Sequence, residues 1–87
     1  MANGVKRAVN LSSKSYRIQS LDRAMEIMKI LGESFDPMGL AEVSATIGLH
    51  KATTHRFLIA LLRHKLIVRT VHGRYLMADN VWLPQGK

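Results

Sequence analysis

Residues Leu40 to Lys65, LAEVSATIGLHKATTHRFLIALLRHK, contain two stretches of apolar residues at helical spacing, separated by a short break. In the first stretch, one helix face carries Leu40, Val43 and Ile47. In the second, one face carries Thr54, Phe57, Leu58, Leu61 and Leu62. Gly48 lies between them and suits a tight turn, because glycine adopts positive φ without steric cost. Two helices joined by about three residues with a glycine predict a helix-turn-helix.

The outer face of the second helix carries the side chains that bear on function. Lys51, Thr53, His55 and Arg56 can each donate a hydrogen bond, Ala52 is small, and none of the five is acidic. Donors and positive charge suit the DNA major groove, where phosphates and base edges offer acceptors. Taken alone, these residues do not distinguish a DNA-reading helix from an ordinary helix with a solvated polar face.

Composition narrows the class of partner. The 87-residue chain has 13 Lys and Arg against 6 Asp and Glu, a formal charge of +7. This balance favours a polyanion, either nucleic acid or an anionic membrane surface, and a basic ribosomal-type protein also fits. The length predicts one small domain. There is no cysteine for disulfides or thiol chemistry, no secretory signal is apparent, and no apolar run reaches the roughly 20 residues of a membrane span.

The region before the helix-turn-helix predicts an arm and a further helix. Residues 1–19 carry cations and no acid, which indicates a basic flexible arm. We expect Ser20 to cap the next helix, with Asp22 opposing the dipole in its first turn. The apolar positions of this helix are Leu21, Ala24, Met25, Met28 and Leu31. Ile27 and Ile30 widen the stripe, so a second surface is expected to be covered, and a second copy of the chain is one candidate.

The period of the pattern changes after the helix-turn-helix. Residues 66–71 are rich in β-branched side chains, His72-Gly73 suits a turn, and residues 74–77 form a second short strand. A hairpin directly after a helix-turn-helix predicts a winged helix: a mainly α fold with a small β-hairpin, built as a three-helix core plus a wing over residues 20–78. Residues 79–87 then begin a linker helix. Three polar side chains are expected on or near the wing: Arg69, His72 and Arg74. One interpretation is that they contact phosphates or the adjacent minor groove, and the alternative is that they only keep a small hairpin soluble.

The run from residue 20 to about residue 80 resembles the N-terminal DNA-binding domain of the IclR family of bacterial transcriptional regulators. The matching residues are Ser20-Leu21-Asp22-Arg23-Ala24, Leu40-Ala41-Glu42-Val43, Gly48-Leu49, Lys51, Thr53, His55-Arg56, Leu61, Arg63-His64 and Gly73-Arg74-Tyr75. The resemblance implies a cytoplasmic protein that binds double-stranded operator DNA as a homodimer. It also implies a C-terminal domain, absent from this sequence, that binds a small-molecule effector and assembles tetramers.

Several positions depart from the family pattern. His50 replaces the usual Pro, Ala52 a common Ser, Lys65 a common Gly, and Leu76 a frequent Arg. Two further departures, Thr54 for Val and Ser44 for Ala, add hydroxyl groups where the motif helices meet. We expect Ser44 to donate to the carbonyl one turn back in its own helix, and Thr54 to find a backbone acceptor. Lys65 would be strained if its site requires positive φ. These changes leave the fold intact and bear on which bases are read.

From the resemblance and the helical phase, residues 51–64 form the recognition helix. Arg56 is the candidate for a bidentate guanine contact, and His55 for a base or phosphate. Lys51 and Thr53 are expected to hold phosphates, and Ala52 to touch a thymine methyl group. Two arginines of the wing, Arg69 and Arg74, complete the set of predicted DNA-contacting residues. Arg74 is also expected to support the structure of the wing.

Other classes of function fit the sequence less well. There is no cysteine nucleophile, Gly-rich phosphate loop or plausible carboxylate pair, so we expect neither an enzyme nor a bound cofactor. His50 and His55 do not share a helix face, which argues against a metal site. Few aromatic residues are available for RNA stacking. The main alternative is a winged-helix protein-interaction module without specific DNA binding.

Overall fold

A computed structural model describes residues 17–79, which form three helices and a two-stranded antiparallel hairpin. The elements are α1 (Gln19–Glu33), α2 (Leu40–Ile47), α3 (Lys51–Arg63), β1 (Ile67–Arg69) and β2 (Tyr75–Met77). This arrangement confirms the mainly α winged helix-turn-helix predicted from the sequence. No helix among these residues is long and apolar enough to cross a membrane. Most of the predicted arm and linker helix, residues 1–16 and 80–87, lies outside the described residues.

Helix α1 differs from the prediction in its start and in its buried face. Gln19 is its first residue and Ile18 its N-cap, so Ser20 lies inside the first turn and the predicted Ser20 cap is wrong. Burial is centred on Ile27, which is fully buried, with Met28 and Leu31 beside it. Met28 and Leu31 belong to the predicted stripe, so their burial is confirmed, and the buried face also includes Ile27, which the sequence pattern treated as a widening of that stripe. As predicted, Asp22 lies in the first turn, where it pairs with Arg17 at 3.5 Å.

Two members of the predicted α1 stripe are exposed to solvent. Leu21 retains 55% and Met25 47% of its accessible surface. The reason is tertiary: α2, α3 and β2 all pack against α1 from the side of Ile27, and Leu21 and Met25 point away from them.

The turn of the helix-turn-helix is built around one glycine and two hydroxyl groups. Gly48 adopts φ 76°, ψ 34°, the left-handed conformation predicted for it. The Ser44 hydroxyl donates to the Leu49 carbonyl at 2.6 Å. The expectation that it bonds within its own helix is wrong, because the chain reverses at Gly48 and brings the Leu49 carbonyl within reach. The fully buried Thr54 donates its hydroxyl to the His50 carbonyl at 3.0 Å, which satisfies it as predicted.

The hairpin is attached to the helical core through the segment between α1 and α2. β1 and β2 pair in antiparallel register, with Ile67 opposite Met77, and both strands are shorter than predicted because the ladder ends at Arg69 and begins again at Tyr75. Met38 adds a bridge to the outer side of β2: its amide donates to the Tyr75 carbonyl at 2.9 Å, and the Tyr75 amide donates back at 2.7 Å. Because Met38 and Tyr75 are both buried, this bridge also places two side chains in the core.

Candidate nucleic-acid interface

The first turns of α3 present the predicted contact residues on one exposed side. Lys51, Ala52, His55 and Arg56 are exposed, and Thr53 is half-buried. They face outward because the opposite side of α3 is anchored in the core by Thr54, Leu58 and Leu61. The structure thus brings the five predicted α3 residues together at the N-terminal half of one helix.

The N-terminus of α3 adds backbone donors to this surface. His50 is the N-cap residue and makes no side-chain capping hydrogen bond, and the first turn contains no acid. The first amide groups of a helix lack intrahelical partners and carry partial positive charge, so they favour an anion. A shallow concavity at the turn is lined by residues of both motif helices, including Ser44, Gly48, Lys51 and Thr53.

Charge is strongly segregated along the chain. Residues 43–78 contain no Asp or Glu, all four His, and six cations: Lys51, Arg56, Arg63, Lys65, Arg69 and Arg74. Five of the six acids lie within residues 17–42, which form α1, the following loop and the start of α2. Within residues 17–79, neither Lys51 nor Arg56 has an ion-pair partner. Their charge is therefore available to a polyanion.

The two predicted wing arginines have different surroundings. Arg69 is exposed, and its guanidinium lies 5.8 Å from the centre of the Tyr75 ring, a cation–π distance that leaves the charge facing solvent. Arg74 is engaged by the protein: its Nη2 donates to Glu42 Oε1 at 2.8 Å and its Nε donates to the Pro37 carbonyl at 3.1 Å. These contacts favour the predicted supporting role of Arg74 over a phosphate contact.

One further cation on α3 belongs to the same surface. Arg63 is exposed in the last turn and lies seven residues after Arg56, so the two share a side of the helix. This spacing was available in the sequence and was not used in the assignment of contact residues. The four His do not add a metal site within residues 17–79, where no group of three potential ligands comes together.

The three-helix core, the helix-turn-helix with an acid-free outer face and the hairpin wing form a winged helix-turn-helix, an architecture that is common among DNA-binding domains. Residues 20–70 match the family described as the IclR helix-turn-helix domain. The chain therefore belongs to the IclR family and carries the DNA-binding domain of a transcriptional regulator. No match to this chain was found among curated proteins.

Solved structures share the fold at low sequence identity. An IclR family transcriptional regulator from Brucella abortus superimposes with a TM-score of 0.69 at 21% identity, covering 76% of this chain and 26% of that one. A regulator of the same family from Alicyclobacillus acidocaldarius gives 0.67 at 24% identity, covering 74% and 26%. A pericyclic reaction enzyme gives 0.59 at 15% identity, covering 70% and 17%, so the fold alone does not decide function. This chain spans about a quarter of the length of the two regulators.

Proposed function

We propose that this chain is the DNA-reading head of a bacterial IclR-type regulator and binds double-stranded operator DNA in a sequence-specific manner. The observation that carries the proposal is the outer side of α3, where exposed Lys51, His55 and Arg56 stand on a helix without a single acid. An ordinary solvated helix face mixes both signs of charge, as α1 does with Asp22, Arg23 and Glu26.

Each residue of the surface has a proposed role. Arg56 donates both guanidinium arms to a guanine, and His55 contacts a base or a phosphate. Lys51 and Thr53 hold phosphates beside the N-terminus of α3, and Ala52 contacts a thymine methyl group. Two further cations lie outside this group: Arg69 of the wing contacts the backbone or the adjacent minor groove, and Arg63 extends the basic side of α3.

The proposal is tested by selecting short duplexes from a random pool with this chain and then measuring affinity across a salt series. We expect enrichment of one sequence and a loss of about 10³-fold or more in affinity between about 50 and 200 mM salt if six or more phosphates are contacted. The alternative is a winged-helix protein-interaction module. It predicts no enrichment and little binding even at low salt.

We propose that the domain acts as a homodimer through the outer side of α1. Ile18, Leu21 and Met25 follow each other at i, i+3 and i+7 and are all exposed, which favours burial against a second copy. A twofold dimer would read two half-sites related by symmetry, so the selected sequence should be palindromic. Sedimentation at rising concentration tests this surface: Leu21→Ser should shift the chain towards monomer, and a wild-type chain that stays monomeric at the highest concentration would contradict the proposal.

The remaining organisation is proposed from the family. The residues that precede α1 form a basic arm, and residues 79–87 begin the linker to a C-terminal domain that binds a small-molecule effector and supports a tetramer. We propose that the protein is cytoplasmic and associated with the nucleoid. We assign it no catalytic activity, cofactor or metal. Limited proteolysis of a longer gene product, followed by mass spectrometry, should release a stable fragment close to residues 20–78.

A further inference from the structure

We propose that Arg74 and Glu42 form a latch that sets the position of the wing on the helix-turn-helix, and that Arg74 is a positioning residue for DNA binding. The inference rests on the proposed function, since it concerns how the wing is held for the same DNA. Glu42 is an acid beside a basic surface, and the proposal gives it an indirect role in DNA binding, because it holds Arg74 in place.

The latch joins segments far apart in sequence through one carboxylate oxygen. Glu42 Oε1 accepts from Arg74 Nη2 at 2.8 Å across 32 residues, and it also accepts from the Gly39 amide at 3.2 Å. Arg74 Nε donates to the Pro37 carbonyl at 3.1 Å. The guanidinium therefore spans the loop that leads into α2, while the same carboxylate holds the first turn of α2.

Gly39 lies directly against the guanidinium of Arg74. A Cβ atom at residue 39 would lie 3.5 Å from Arg74 Nη1, in ordinary van der Waals contact. Next to Gly39, Met38 is hydrogen-bonded to Tyr75, the residue after Arg74. The wing is thus attached to the helix-turn-helix by a backbone bridge and a charged pair at adjacent positions.

The backbone of Arg74 belongs to the turn at the tip of the wing. Its carbonyl accepts from the Thr70 amide at 2.8 Å, and its amide donates to the Thr70 hydroxyl at 3.1 Å. The same hydroxyl accepts from the His72 amide at 3.2 Å. A displacement of Arg74 therefore moves the tip, where Val71 is 93% exposed, relative to α2.

The latch and a direct phosphate contact by Arg74 predict opposite effects for Glu42→Gln. The substituted amide side chain would keep an oxygen for the Gly39 amide and lose the charge that holds Arg74. If Arg74 contacts phosphate, removing its carboxylate competitor and one negative charge strengthens DNA binding. If the pair is a latch, the wing is released and binding weakens, although the domain has become more positive.

The experiment compares Glu42→Gln with Glu26→Gln, because Glu26 is the acid of another exposed Arg–Glu pair, with Arg23 at 3.4 Å on α1. Both variants remove one negative charge. Affinity is measured for the duplex that the wild-type chain selects, at a single salt concentration and below the unfolding temperature of every variant. We expect Glu42→Gln to bind about two- to fivefold more weakly, the range of an exposed pair with good geometry. Glu26→Gln should bind as wild type or slightly more tightly.

A double-mutant cycle with Arg74→Met completes the test. In a latch the two residues act together, so Arg74→Met should cost little further affinity once Glu42→Gln is present. Equal or tighter binding by Glu42→Gln than by Glu26→Gln, or full additivity in the cycle, would overturn the latch.

Hydrogen exchange separates failure of the latch from failure of the proposed function. The Gly73 and Tyr75 amides are bonded to Thr70 and Met38 and should exchange faster in Glu42→Gln without any DNA. If the wild-type chain binds no DNA, the proposed function is contradicted. If exchange at these two amides is unchanged in Glu42→Gln, the latch is contradicted, whether or not the chain binds DNA.

Discussion

The outward sides of α1 and α3 carry opposite kinds of side chain, although both helices pack on the same core. α1 exposes Leu21 and Met25 among paired charges, including Asp22 with Arg17. α3 exposes Lys51 and Arg56 with no acid on the helix. A core needs only one apolar side from each helix, so the outer sides are free to reflect their partners. Apolar exposure suits a protein surface and uniform positive charge suits a polyanion.

The largest expected effect separates the buried and exposed sides of α1. Ile27→Ala should lower the free energy of unfolding by about 2–5 kcal/mol, because the fully buried side chain leaves a cavity. Leu21→Ala should change it by no more than about 0.5 kcal/mol in dilute, monomeric protein. Denaturant unfolding of both variants measures the difference. Similar losses for the two would mean that Leu21 is covered in solution.

The next effect separates the outer sides of α1 and α3. Arg56→Ala should lose about 1–3 kcal/mol of DNA binding, together with discrimination at one base pair. Arg23→Ala, on α1, should leave both unchanged. Binding to the selected duplex and to single-base variants measures discrimination. Equal weakening on selected and random DNA would instead identify Arg56 as a phosphate contact.

The smallest effect concerns the junction between α3 and the wing. Lys65 has a positive φ of 63°. Two hydrogen bonds hold this conformation: the Lys65 amide donates to the Leu62 carbonyl at 2.9 Å, and the Leu66 amide donates to the Leu61 carbonyl at 3.0 Å. This Schellman motif favours glycine at the position of Lys65. Lys65→Gly should raise the unfolding free energy by about 0.5–1 kcal/mol, since relief of strain exceeds the added entropy of the unfolded chain.

Lys65→Ala is the matched control for that substitution. It removes the same charge and keeps a Cβ atom in the left-handed conformation, so it should not be stabilised. Thermal melts of the two variants decide the point: equal stability would mean that charge, and not backbone strain, sets the cost of Lys65.

Local features of the fold were predictable from the sequence, and non-local ones were not. The Gly48 turn and the buried Thr54 follow from spacing within a few residues. The Met38 bridge to Tyr75 joins segments that no periodicity relates. The buried face of α1 was predicted only in part for the same reason: Met28 and Leu31 are buried as predicted, but the apolar residues cover more than one side, and only the packing of the other elements selects Ile27 over Leu21.

The candidate site shows the same division. The exposure of Lys51, His55 and Arg56 follows from the phase of α3 and was predicted. The partners of Arg74 were not, because Glu42 and Pro37 come close to it only in the folded chain. A count of basic residues near the wing treats Arg69 and Arg74 alike, whereas within residues 17–79 the structure pairs Arg74, and not Arg69, with an acid.

The separation of acidic from basic residues along the chain affects how the domain is oriented as it diffuses towards DNA. Residues 17–42 carry five acids and three cations, a net charge of −2, and residues 43–78 carry six cations and no acid, so we expect the folded domain to have an electric dipole as well as a net charge. In the field of a DNA duplex a torque acts on such a dipole and turns the basic side towards the phosphates during diffusion. A larger share of collisions then begins in the binding orientation, and this share falls as salt shortens the reach of the field.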